Sequence, residues 1–414
     1  MTTTDTGATS TALRELGAFE NVIDLYASRN PVQFSLVLEL AAPVPAARLA
    51  QALAHLQRVH PLLAARVDRT GGRPVFRPAS ASIPLRCVHE PDWRAAAADE
   101  QTSPIDLAGG PLVRAVLLTD AGGDSGAVVL LTFSHQVSDG RGALLAVRDL
   151  VAHLEDEHRA PRAVPLDQET LLRQLPPPGR DDRDDREDRD DPGPTGAAQP
   201  PAASTRPFDG TPPRVESAEL GAVRTARLRA AAREHDATVQ GVLCAAAAES
   251  LAELTGRTTV RLNVPIDLRS ALDLEDDVVN RFTATTVTLG TGAGTTTWDL
   301  ARDASGQLRA GRRAARATAL ALASLDPASA AEAEAAMLAA TSSDLEITNL
   351  GAAGSAPSVV AIWGPTMTTQ VQGERILGVV THGGALRMAL TTHDRPRGLA
   401  VDIAGRLDRL LDRL

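Results

Sequence analysis

The sequence predicts an α/β protein of two comparable lobes. Three observations carry that prediction. The 414-residue chain exceeds the length at which one hydrophobic core usually stops growing. Strand and helix patterns mix in both halves. A charged, Pro-rich stretch separates them.

In the first half, Val32 to Leu40 alternates apolar and polar residues like a half-buried strand, punctuated by Pro43 and Pro45. Leu49, Leu53, Leu56 and Val59 then recur at helical spacing until Pro61 stops the helix, and His60-Pro61-Leu62-Leu63 feeds a further extended stretch. Ala127 to Phe133 is a short, apolar, β-branched run that reads as a buried central strand. Past Gly140 and Gly142, residues Ala143 to Leu154 form an amphipathic helix.

The boundary runs from Pro176 to Pro213. Its block Arg180 to Asp191 holds eight acidic residues and four arginines, a net charge of 4 − 8 = −4, and Pro, Gly, Ala and Ser follow. Such a stretch buries too little apolar surface to order itself and is expected to be a solvated linker. The second half restarts with a strand near Val215 to Leu220, a helix over Val223 to His235 and a mostly apolar, buried helix over Val239 to Leu254. Strands are expected at Thr259 to Ile266, Phe282 to Leu289 and Asp344 to Thr348, and a hairpin joins Ile376–Thr381 to Leu386–Thr392 around Gly383-Gly384.

Composition narrows the function. All 42 residues counted as Lys+Arg are arginine, which removes Schiff-base lysines and a Walker-type lysine. A net charge of −10 with 2% aromatic residues argues against nucleic acid and for a small-molecule or protein partner. Cys87 and Cys244 lack metal-ligand spacing, so a reducing cytoplasm and no bound metal are expected. Met1 to Ser10 has no basic or apolar signal segment and no apolar run approaches a membrane span, so a soluble, non-exported, membrane-free protein is expected.

The chemistry points to Phe133-Ser134-His135-Gln136-Val137-Ser138-Asp139-Gly140, where the buried strand ends. A histidine titrates near neutrality, so at a strand end lining a cleft His135 can take a proton from an attacking hydroxyl or amine and return it to a leaving group. Asp139 would orient the loop, and Gly140 suits a sharp turn or close approach. Spacing alone equally fits a hydrogen-bonded histidine at a strand end, with Asp139 capping the next helix.

Taken with Leu16 to Glu20, Val59 to Leu63, Ile105 to Ala115, Asn263-Val264-Pro265-Ile266-Asp267-Leu268-Arg269, Asn280 and Thr348-Asn349-Leu350-Gly351, this motif resembles the condensation-domain superfamily over almost the whole chain. That superfamily takes in chloramphenicol-acetyltransferase-like enzymes and the condensation domains of nonribosomal peptide synthesis. The Asp267-Leu268-Arg269 and Thr348 to Gly351 elements look most like stand-alone polyketide-associated O-acyltransferases. The resemblance implies two chloramphenicol-acetyltransferase-like lobes, at 1–175 and 214–414 with the linker at 176–213, forming a pseudo-dimer around a central cleft or tunnel. It further implies an acyltransferase of secondary-metabolite or lipid biosynthesis. His135 would be the general base and Asp139 a structural residue paired with Arg269. The acyl donor would be a thioester of coenzyme A or of a carrier protein's phosphopantetheine, with no tightly bound cofactor, and the product an ester or amide. A monomer is expected, with a small-molecule acceptor and a carrier protein as candidate partners. Ser134 departs from the family, which usually has the first histidine of its motif there, His135 matching the second.

Several features keep two readings. Arg309, Arg312, Arg313 and Arg316 form a basic helical stretch that would meet coenzyme A phosphates or an acidic carrier, or is a solvated face. Thr348 and Asn349 would offer a hydrogen bond to a developing oxyanion, or form a turn. His382 and His393 are expected at the surface, and His60 at the end of its helix. The alternatives to acyl transfer are a non-catalytic docking module and a same-fold enzyme that epimerises or dehydrates a carrier-bound intermediate.

Overall fold

The computed structural model describes residues 11–90, 92–119, 126–176, 203–325, 327–394 and 398–414. The charged block Arg180 to Asp191 lies outside the described residues.

The first half contains β1 (Arg14–Glu15), α1 (Ala18–Ala27), β2 (Gln33–Leu40), α2 (Ala46–Val59), β3 (Ala65–Asp68), β4 (Val75–Pro78), β5 (Leu85–Val88), α3 (Trp93–Glu100), β6 (Val113–Thr119), β7 (Ala127–Ser134), α4 (Gly140–Leu154) and α5 (Gln168–Gln174). The second contains β8 (Arg214–Leu220), α6 (Ala222–Glu234), α7 (Val239–Thr255), β9 (Thr259–Asp267), α8 (Leu268–Leu272), β10 (Phe282–Gly290), α9 (Thr297–Ala323), α10 (Ala330–Thr341), β11 (Leu345–Ala352), β12 (Val359–Thr368), β13 (Arg375–His382), β14 (Ala385–Thr392) and α11 (Leu399–Asp412). Pro61 ends α2 as expected but opens a 3-10 turn, Pro61–Ala64, before the chain becomes extended at β3. Proline's fixed φ suits the first position of such a turn.

Two large sheets organise the chain. One has the order β12-β2-β7-β6-β5, and the other β10-β9-β11-β13-β14-β8. In the first, β7 lies between β2 and β6, and Phe133, Leu131 and Val129 are wholly buried in the core beneath α2 and α4. The second sheet's core packs Leu262, Ile347, Val379 and Met388 against α7, whose residues from Gly241 to Leu251 are almost all buried.

The sheets are joined by an exchange of strand. β12 follows β11 of the second sheet in sequence but pairs antiparallel with β2 of the first, setting Trp363 opposite Val37. Residues 214–414 are thus divided between the two sheets. The backbones of β12 and β13 touch at Gly378, where an added Cβ would lie 2.1 Å from the Pro365 carbonyl oxygen. Backbone on both sides leaves no flexible group to yield. Gly378→Ala is therefore expected to destabilise the protein by about 1–3 kcal/mol, as overpacking does, with the loss read from the shift in urea midpoint.

His382, expected at the surface, is buried at the end of β13, where its Nε2 lies 3.1 Å from the Val359 carbonyl of β12. The strand exchange covers it. His393 is half-exposed.

Candidate active site

The loop between β7 and α4 is held from three sides. His135 N–H donates to the Val32 carbonyl at 3.1 Å. Asn280 Nδ2, arriving from the second half just ahead of β10, donates to the His135 carbonyl at 2.7 Å and the Gln136 carbonyl at 3.2 Å. Gln136 Nε2 donates to Asp24 of α1, which also accepts from Arg69 Nε at 2.8 Å. Ser134 is buried, and among the described residues its hydroxyl pairs only with Gln136, donating to Oε1 at 3.5 Å and accepting from the backbone N–H at 3.4 Å. At the position where the resemblance calls for a histidine, the loop is thus braced by Gln136, Asp24 and Asn280 instead.

Asp139 does two jobs at once. It is the N-cap of α4, accepting from Gly142 N–H at 2.7 Å. It also accepts from Arg281 N–H at 2.7 Å and from Arg269 Nη1 at 2.9 Å. Arg269, itself buried, continues to Asp267 Oδ1 at 3.0 Å and to the carbonyls of Asp277 and Val279 at 2.9 and 2.7 Å. One guanidinium thereby ties the segment 277–279 and the end of β9 to the start of α4, using the planar fork that lysine lacks. Burial acts to raise the Asp139 carboxyl, but Arg269 and the two backbone N–H groups outweigh it and hold the carboxyl below its ordinary range.

His135 itself looks into a cleft lined by Phe34, Phe282, Pro265, Met367, Glu346 and Thr348, among others. Its ring lies 5.1 Å from that of Phe34 and 5.4 Å from that of Phe282. Burial pulls the imidazole below its ordinary 6.5; its own carbonyl, Asp139 and Asn280 act the other way without offsetting it. His135 Nδ1 and Asn280 Oδ1 are both buried without a well-formed hydrogen bond among the described residues. The other wall comes from β11 and the start of α4. A Cβ on Gly140 would come within 2.4 Å of Leu350 Cδ2, and Arg141 Nη1 donates to the Leu350 carbonyl at 2.7 Å. Gly140 thus permits the close approach of helix and strand.

The remaining candidates divide. Thr348 and Asn349 line the cavity, yet their polar atoms are engaged: Thr348 Oγ1 donates to Glu346 at 2.9 Å, while Asn349 donates to Gln240 at 2.8 Å and accepts from Gly351 N–H at 2.9 Å. The last contact is that of a turn. Arg309, Arg312 and Arg313 are exposed on α9 and do not line this cavity. Arg316 donates at 2.8 Å to each of the Leu172 and Leu175 carbonyls, satisfying the C-terminal end of α5.

Glu346 was missed in the sequence. It faces the cavity, accepts from Asn263 Nδ2 at 2.9 Å, and is pushed above its ordinary range by burial. The available signal was a lone charge inside an otherwise strand-like run.

Among the described residues no helix is long and apolar enough to cross a membrane. No family model matches the chain. A stretch of 130 residues, 29% of the chain, is 35% identical to part of phosphinothricin tripeptide synthetase PhsC of Streptomyces viridochromogenes; the chain spans 12% of that protein's length. Polyketide synthase associated protein 5 from Mycobacterium tuberculosis is structurally similar over 98% of this chain and 99% of its own, at a TM-score of 0.68 and 18% identity. The first condensation domain of the calcium-dependent antibiotic synthetase, solved with a substrate analogue, matches 98% of this chain and 96% of its own, at 0.65 and 18%. The epimerization domain from the third module of tyrocidine synthetase B matches 99% and 97%, at 0.64 and 13%. The chain therefore has the fold of the condensation domains, two chloramphenicol-acetyltransferase-like lobes around a shared cleft.

Proposed function

We propose that the protein is an acyltransferase that moves an acyl group from a thioester to a hydroxyl or amine. His135 takes the acceptor's proton as the acceptor attacks the thioester carbonyl. The C–S bond then breaks, and the imidazolium returns the proton to the departing thiolate. The products are an ester or amide and a free thiol. Asp139 and Arg269 act through position, holding the loop that presents the imidazole.

The observation that carries this reading is a histidine at a strand end, facing a shared cavity between aromatic rings, with burial favouring its neutral, basic form. Coenzyme A and a phosphopantetheinyl carrier protein both supply the donor chemistry. A thiol-release assay over acyl-coenzyme A and acyl-carrier donors, with mixed alcohol and amine acceptors, tests it. Acceptor-dependent thiol release supports transfer, and its absence across the panel removes the reading.

The pH profile follows from the same group. Activity requires neutral His135, and its pKa is displaced downward, so the acid limb of kcat/KM should lie below pH 6.5 with a plateau through neutrality. A limb above 6.5 would point to another base.

Glu346 favours a second reading. A carboxyl and an imidazole in one cavity can remove and return a proton at the carbon beside a carrier-bound carbonyl, which is epimerisation. Incubation in deuterated water separates the two: epimerisation labels the substrate carbon, whereas transfer does not.

A further inference from the structure

Three histidines without a part in the proposed chemistry converge where α4 ends. His55 lies half-exposed on α2, His153 in the last turn of α4 and His158 in the exposed loop beyond. Among the described residues, their ligand nitrogens all lie within 4.8 Å of one another. His153 Nδ1 and His158 Nδ1 are 3.1 Å apart, and the His55 ring stacks on that of His153 at 4.3 Å between centroids.

We propose that His55, His153 and His158 bind one divalent transition-metal ion, with zinc as the reference ligand. Zinc holds imidazole nitrogens at about 2.0–2.1 Å, which sets two of them roughly 3.3 Å apart on a tetrahedral centre. The His153–His158 pair already stands close to that separation. His55 completes the set by rotating its ring about χ2, a soft torsion in histidine. Among the described residues its nitrogens are held only by 3.4 Å contacts, one with Arg58 Nη2 and one with Arg159 N–H. Three imidazoles without a carboxylate suit zinc, nickel, cobalt or copper and not magnesium or calcium. Asp156 is engaged by Arg48 at 2.5 Å, so water takes the remaining position. The spacing of these histidines gave no such signal, because α2 and α4 are distant in sequence and only their packing brings the rings together.

The ion would clamp α2 to α4, beside the buried His60–Asp149 pair that joins the same helices at 2.9 Å. The active loop lies at the other end of α4, about 22 Å away along the helix axis. The site is therefore structural and independent of acyl transfer.

The test uses untagged full-length protein stripped with a chelator, titrated with Zn²⁺ and Co²⁺. One ion per chain is expected, with visible cobalt absorption and a higher thermal midpoint when zinc is added. His153→Ala and His158→Ala should each weaken zinc binding by more than about 100-fold, beyond the loss caused by removing an outer-sphere partner. Cys87→Ser should bind as wild type does, since Cys87 is free and exposed. His158 is exposed, so its variant retains the fold and keeps the result interpretable. Wild type that takes up no ion at micromolar concentration would leave the contact as an N–H···N hydrogen bond and overturn the proposal. Unchanged affinity in His158→Ala, or lost binding in Cys87→Ser, would overturn it as well.

Discussion

Replacing His135 with alanine is expected to slow acyl transfer by about 10²–10⁴-fold, the usual range for losing a positioned proton-transfer group. The fold should survive. The imidazole packs between Phe34 and Phe282, and what anchors the loop is backbone: the His135 N–H on Val32 and its carbonyl on Asn280. Single-turnover thiol release, with the urea midpoint measured alongside, reads both consequences. His135→Gln keeps most of the volume and should be equally slow. Folded variants that transfer within about threefold of wild type would remove His135 as the base.

Arg269→Ala should have the largest effect on stability. It strands the buried Asp139 carboxylate and leaves the Asp277 and Val279 carbonyls without their donor. Breaking a buried pair from one side costs about 3–5 kcal/mol. The two backbone N–H groups that remain on Asp139 place the expectation near the lower figure. The sign of the pH dependence follows from the carboxyl. In wild type it lies below its ordinary value of 3.8, so the stability it contributes is present above that pH and is lost as pH falls through the folded value. Without Arg269, burial instead favours the protonated acid, which is most stable relative to the unfolded chain at low pH. The gap between wild type and variant should therefore be widest at neutral pH and close as pH falls toward 3.8. A gap constant from pH 7 to pH 4 would place the loss elsewhere than in the Asp139 charge. Arg269→Lys should recover part of the stability, since lysine supplies the charge but not the fork.

The buried strand β7, the amphipathic α2 and α4, the apolar α7 and the hairpin β13–β14 were legible because each is specified by its own periodicity. The pattern at His135 was legible too, as strand, loop and helix in succession. The strand β12 was not: Val359 to Trp363 is apolar, but Gly364-Pro365 interrupts it, and nothing local reveals that it pairs with β2 rather than with its neighbour β13. The burial of His382 and the contact at Gly378 depend on that pairing and were hidden with it.

By itself, the sequence determined two α/β halves, the strand that ends at His135, the helix that Asp139 caps, and a site free of lysine chemistry. Tertiary structure alone decided that β12 crosses to the first sheet, that Asn280 and Gln136 brace the loop beside Ser134, that Glu346 shares the cavity, and that His55 meets His153 and His158. The division is physical. Periodicity and capping act over a few residues and are written locally, whereas strand exchange and convergent side chains depend on which distant surfaces exclude water together.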